Sequence, residues 1–62
     1  MTTWTWSWRV EDEVVRSPSF RSRAEAEAWM GSEWEALLAA GARAATLEED
    51  GRVAYEMGLG AP

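Results

Sequence analysis

The chain has no cysteine, no histidine and no lysine among its 62 residues. Without cysteine there are no disulfides and no thiolate metal sites. Without histidine the commonest zinc ligand and the commonest general base are both gone. Every cation is therefore an arginine, six against eleven acids, and the formal net charge is −5. Isoleucine, asparagine and glutamine are missing as well, whereas alanine occurs eleven times. The missing residues use AT-rich codons, so this bias fits a GC-rich genome.

Further absences narrow the partners. A net negative surface repels both nucleic acid and anionic membrane, so neither is expected to bind. No apolar run approaches the ~20 residues of a membrane span. The opening Met1-Thr2-Thr3-Trp4 lacks the basic and apolar regions of a signal peptide, which predicts a cytoplasmic protein. So short a chain makes one domain, near the lower size limit for folding without a staple.

What the chain does have is tryptophan, five in all. Three stand at alternate positions in "WTWSW", residues 4 to 8. Trp4, Trp6, Trp8 and Val10 then share one face of a strand; Thr3, Thr5, Ser7 and Arg9 share the other. Glu11-Asp12-Glu13 breaks the alternation and predicts a turn. A second strand follows from about Val14 until Pro18 interrupts its hydrogen bonding. Its register stays open. Pairing Val10 with Val14 sets Trp4 near Phe20, whereas a tighter turn, disfavoured by the absence of Gly or Asn here, sets Trp8 opposite Val15.

Ser22-Arg23-Ala24-Glu25 matches a capping box, and Gly41 supplies a left-handed end, so a helix is predicted between them. Ala26, Met30, Trp34 and Leu37 form its apolar stripe, with Trp29 and Leu38 at the edges. Arg23 and Glu27 have the spacing of an i,i+4 ion pair. Gly31 is costly inside a helix. Ser32-Glu33-Trp34-Glu35 repeats the capping pattern, which leaves a kink or restart open there. A last hairpin turns around Asp50-Gly51. A two-residue turn mixes the faces, so a three-residue loop is preferred, pairing Leu47 with Val53, Ala45 with Tyr55 and Glu48 with Arg52.

These elements predict an α+β domain of ββαββ order over residues 1–57, with a loosely ordered tail over 58–62. A mostly antiparallel four-stranded sheet packs on one helix through Trp6, Trp8, Met30, Trp34, Leu37, Leu47, Val53 and Tyr55. Alanine buries little, so the tryptophans must supply most of the large apolar mass. Trp4 and Trp29 stand evenly between core margin and exposed contact.

Catalysis finds little to work with, because a serine or threonine nucleophile needs an activating base that this composition withholds. Glu33 is the one acid near the apolar helix face, where burial would raise its pKa; a rim position beside an arginine is the plainer reading. The acidic clusters Glu11-Asp12-Glu13 and Glu48-Glu49-Asp50 lack calcium-loop spacing and read as solvated turns. No catalytic residue, metal or cofactor is expected. The leading expectation is a non-catalytic interaction or regulatory module, homodimeric, with Trp4, Trp29 and Glu33 as candidate partner contacts. The alternatives are an acidic DNA-mimicking inhibitor of a DNA-binding protein and a small-ligand binder using exposed Trp4 and Trp29.

The stretches "WTWSW", "AEAEAWMGSEWEALLAAG" and "TLEEDGRVAY" together resemble a group of small, uncharacterised, tryptophan-rich actinobacterial proteins. The resemblance runs from Trp4 to Tyr55 and rests on Trp4, Trp6, Ala28, Trp29, Gly31, Trp34, Leu37, Leu38, Gly41, Asp50, Gly51 and Tyr55. The first turn, short and without glycine, departs from that pattern, as does the Met57-Gly58-Leu59-Gly60 tail. The resemblance implies the same fold and a similar origin, and it carries no activity with it.

Overall fold

A computed structural model describes residues 2–59. Its elements run β1 (Trp4–Val10), β2 (Glu13–Phe20), α1 (Arg23–Ala39), β3 (Ala44–Glu49) and β4 (Arg52–Gly58). The strands form one sheet in the order β2-β1-β3-β4, antiparallel at every pairing, with the helix packed on one face. This is the ββαββ, α+β fold. The core gathers Trp6, Ala26, Met30, Leu37, Ala42, Ala45, Leu47 and Leu59, with Trp4, Trp8, Val10, Phe20, Trp29, Tyr55 and Met57 packed at its margin.

Both hairpins combine a tight turn with a later bulge. In the first, Val10 pairs with Glu13 and Trp8 with Val15, which leaves Glu11-Asp12 as a two-residue turn. Glu11 takes the strained φ of +56° that the first position of such a turn demands. Beyond Arg16 the register shifts by one, and Trp4 meets Phe20. Both registers thus occur, one on each side of the bulge, and the turn itself is the tighter form that the lack of Gly or Asn argued against. The shift has a purpose: five positions separate Val15 from Phe20, an odd number, and only a bulge puts both on the tryptophan face. Ser17 and Pro18 together oppose Trp6. Proline has no N–H to give, and the Trp6 N–H donates instead to Ser17 Oγ at 2.8 Å.

The last hairpin corrects the three-residue loop. Asp50 (φ +50°) and Gly51 (φ +84°) form a two-residue turn, pairing Glu49 with Arg52 and Glu48 with Val53. An extra residue, Ala54, then restores the faces, so Leu47 pairs with Tyr55 and Ala45 with Met57. The two-residue turn does mix faces, and the bulge repairs it. In consequence Val53 leaves the predicted core for the outer face, 68% exposed. Glu48 finds its cation in Arg16, at 3.1 Å, rather than in Arg52.

The helix follows its sequence signals closely. Ser22 Oγ accepts the Glu25 N–H at 3.1 Å, and the Glu25 carboxylate accepts the Arg21 N–H at 3.3 Å. At the other end Gly41 adopts φ +108°. Ala42 N–H reaches the Leu37 carbonyl at 3.0 Å and Gly41 N–H the Leu38 carbonyl at 3.1 Å, a Schellman end. Between these caps α1 continues through Gly31 without a break, so the second capping pattern is unused. Order also extends past the expected domain end. Gly58 belongs to β4, and Leu59 is buried with its N–H on the Arg43 carbonyl at 2.8 Å. Residues 60–62 of the expected loose tail lie outside the described residues.

Candidate functional site

The position of α1 creates the most distinctive surface. The helix lies over β1 and β2 and makes no close backbone approach to β3 or β4. On the β2 side Trp29 closes the gap, its ring 5.9 Å from Trp8 and 5.7 Å from Phe20. The floor is pinned by Trp6, fully buried, whose Nε1–H donates to the Ala26 carbonyl at 2.7 Å. On the β4 side nothing comparable closes the gap. A crevice of about 230 Å³ remains there between Gly31 and Trp34 on the helix and Tyr55 and Met57 on the sheet, with Trp6 and Met30 beneath.

Helical spacing explains this flank. Gly31, Trp34 and Leu38 fall on one side of α1, turned away from the line through Ala26, Met30 and Leu37. Trp34 belongs to the predicted core, yet it is 39% exposed, as is Leu38. It sits at the helix edge rather than beneath it, because no strand directly faces that edge. Gly31 costs about 1 kcal/mol relative to alanine inside a helix. A Cβ placed on it would meet no atom within 4 Å.

The crevice ends at a polar clamp. The Tyr55 ring stands edge-on to Trp6 at 5.8 Å, and its hydroxyl donates to Glu27 Oε2 at 2.9 Å. Arg23 Nε donates to the same oxygen at 2.9 Å, while its guanidinium lies 4.9 Å from the Tyr55 ring centre. These bonds, Arg23 first and Tyr55 second, hold the Glu27 carboxyl below its ordinary pKa. Burial, then the bond to Glu27, pushes the Tyr55 hydroxyl above its own. At neutral pH the acid is ionised and the phenol protonated, each already matched to its partner. Such a clamp ties β4 to the flank of the helix.

The outer face of the sheet is less flat than its small residues suggest. Ser7 is buried there, its hydroxyl donating to Glu48 Oε2 at 3.3 Å alongside the Arg16–Glu48 ion pair. Beside it runs an open groove of about 730 Å³, walled by Arg9, Arg43, Glu11 and Glu56 around Val14 and Thr46.

Phe20 links two of the three candidate contacts, pairing with Trp4 and packing on Trp29, and Glu33 stands one helical turn from Trp29. Trp4 is half-buried at the start of β1, and Trp29 is half-buried against Trp8 and Phe20. Glu33 is half-buried on the helix. The acidic turns lie at opposite ends of the sheet, and among the described residues no group of three acids is placed to hold a metal ion. Among the described residues, no helix is long and apolar enough to cross a membrane. The residue that sequence reasoning missed is Trp34. Its signal was present in the 3-to-4 spacing of Gly31, Trp34 and Leu38, which marks a second stripe beside the core stripe. Comparison with protein-family models, with curated proteins and with solved structures finds no match to this chain.

Proposed function

We propose that the chain is a non-catalytic protein-interaction module that acts as a homodimer in the cytoplasm. One observation carries this reading: a single helix covers half of a four-stranded sheet and leaves Trp34, Leu38 and Met57 along an open flank. Exposed apolar surface of this kind, rimmed by polar groups, is where soluble proteins meet partners. Pairing would also help a domain whose core is small for its length. The composition adds support, since the chain offers no histidine, lysine or cysteine to activate a nucleophile. The Arg23–Glu27–Tyr55 group has its charges and hydrogen bonds already satisfied within the chain. Separation of the acidic turns to opposite ends gives little support to a DNA-mimicking surface, which needs carboxylates along one face. Light scattering at several protein concentrations tests the reading. A mass that rises from one chain to two is expected, and a strict monomer would remove the homodimer.

A further inference from the structure

We infer that the crevice between α1 and β4 is the seat for the Trp34 indole of a second copy, two copies pairing through this flank about a two-fold axis. This deepens the homodimer reading and rests on it, adding the face and the residues.

Self-complementarity comes first. A two-fold interface uses one patch on both partners, so that patch must carry both a projection and a recess to receive it. Trp34 supplies the projection, a half-exposed indole at the crevice rim. The recess lies over Gly31, one helical turn away. Its walls, the Tyr55 ring and the Met57 thioether over a floor of buried Trp6 and Met30, suit a flat aromatic ring. Gly31 gives independent support. Its φ is not left-handed, and nothing in the chain crowds the place of a Cβ. Neither backbone nor packing within one copy calls for glycine there, whereas a partner ring seated on the helix would.

Charge points the same way. The molecule carries −5, yet the acid that lines this crevice, Glu27, is neutralised by Arg23 at 2.9 Å. The unpaired acids of the turns lie at the sheet ends, so two copies can meet here without pressing them together. With Trp34 seated over Gly31, antiparallel helices would set Arg23 of one copy at the C-terminal end of α1 in the other. The last turn of α1 has no basic residue of its own, and the partner's Arg23 would complement its negative dipole end. The rival surfaces are less suitable. The β2 edge is interrupted by Pro18 and its bulge, and the outer face is crossed by the Arg16–Glu48 pair.

Sedimentation of the full chain over a range of concentrations tests this, comparing it with Gly31→Leu, Trp34→Ala and Val53→Ser. Gly31→Leu fills the seat with a strong helix former, so the helix should melt no lower in dilute solution. The dimer dissociation constant should rise at least tenfold for both Gly31→Leu and Trp34→Ala. Val53→Ser, on the outer face, should leave it unchanged. Should the unaltered chain stay monomeric throughout, the homodimer reading fails and takes this assignment with it. A dimer as tight in Gly31→Leu as in the unaltered chain would overturn the assignment alone.

Discussion

Glu11 and Asp50 both hold a positive φ, at +56° and +50°, but they are not equivalent. Aspartate tolerates this region, and Asp50 also works there: its Oδ1 accepts the Thr3 N–H at 2.8 Å, while its own N–H reaches the Thr3 carbonyl. Among the described residues, Glu11 gains nothing comparable from its side chain. Glu11→Gly should therefore stabilise the fold by about 0.5–1 kcal/mol, the relief of left-handed strain less the extra freedom of an unfolded glycine. Asp50→Gly relieves similar strain and loses the Thr3 bond, so it should not stabilise. Urea unfolding midpoints of the two variants give the comparison. At this scale the sequence was readable wherever a residue acts alone. Ser22, Gly41 and the Arg23–Glu27 pair stand where their spacing places them. It was unreadable where a side chain acts across the fold, as when Tyr55 joins Glu27 or Arg16 reaches Glu48.

Among the elements, the strands and helix were legible from periodicity, and the pairings were not. Alternation assumes an unbroken strand, and on that assumption a tight turn at Asp50-Gly51 puts Leu47 and Val53 on opposite faces. Ala54 removes that objection by adding one residue. The same device at Ser17-Pro18 lets Val15 and Phe20 share a face. Pro18, read from the sequence as the end of the second strand, sits instead within the bulge, and β2 runs on to Phe20. The Ser17 hydroxyl makes that bulge affordable, since it takes the Trp6 N–H. Ser17→Ala should cost about 1–3 kcal/mol, the penalty of a stranded donor. It should also speed amide exchange at Trp6. Ser19→Ala, one pair further along on the exposed edge, should stay within about 0.5 kcal/mol. Equal effects of the two would mean that Ser17 does not hold the bulge.

For the molecule as a whole, the clamp that ties β4 to α1 adds a pH dependence to stability. The Glu27 carboxyl is lowered from 4.5, so its contribution is complete above that pH and is lost as pH falls through the folded value. The Tyr55 hydroxyl is raised from 10.0, so its contribution is complete below that pH and is lost as pH climbs toward the folded value. Tyr55→Phe keeps the ring against Trp6 and Arg23 but removes the hydroxyl. It should flatten the alkaline limb of a stability profile and soften the acid limb, read from urea midpoints across pH. An unchanged alkaline limb would show that the phenol is not the group responsible. The whole-molecule feature least legible beforehand was the sideways seat of the helix, because strand order decides it and no local pattern encodes strand order. A different consequence follows from the Thr3–Asp50 clasp. It places the entry of the chain beside the β3–β4 turn, while Gly58, opposite Ala44, leaves the sheet about 17 Å away along the strands. Reporter dyes attached near Thr3 and Leu59 would thus stand at opposite poles, and their energy transfer would register sheet opening without touching the helix.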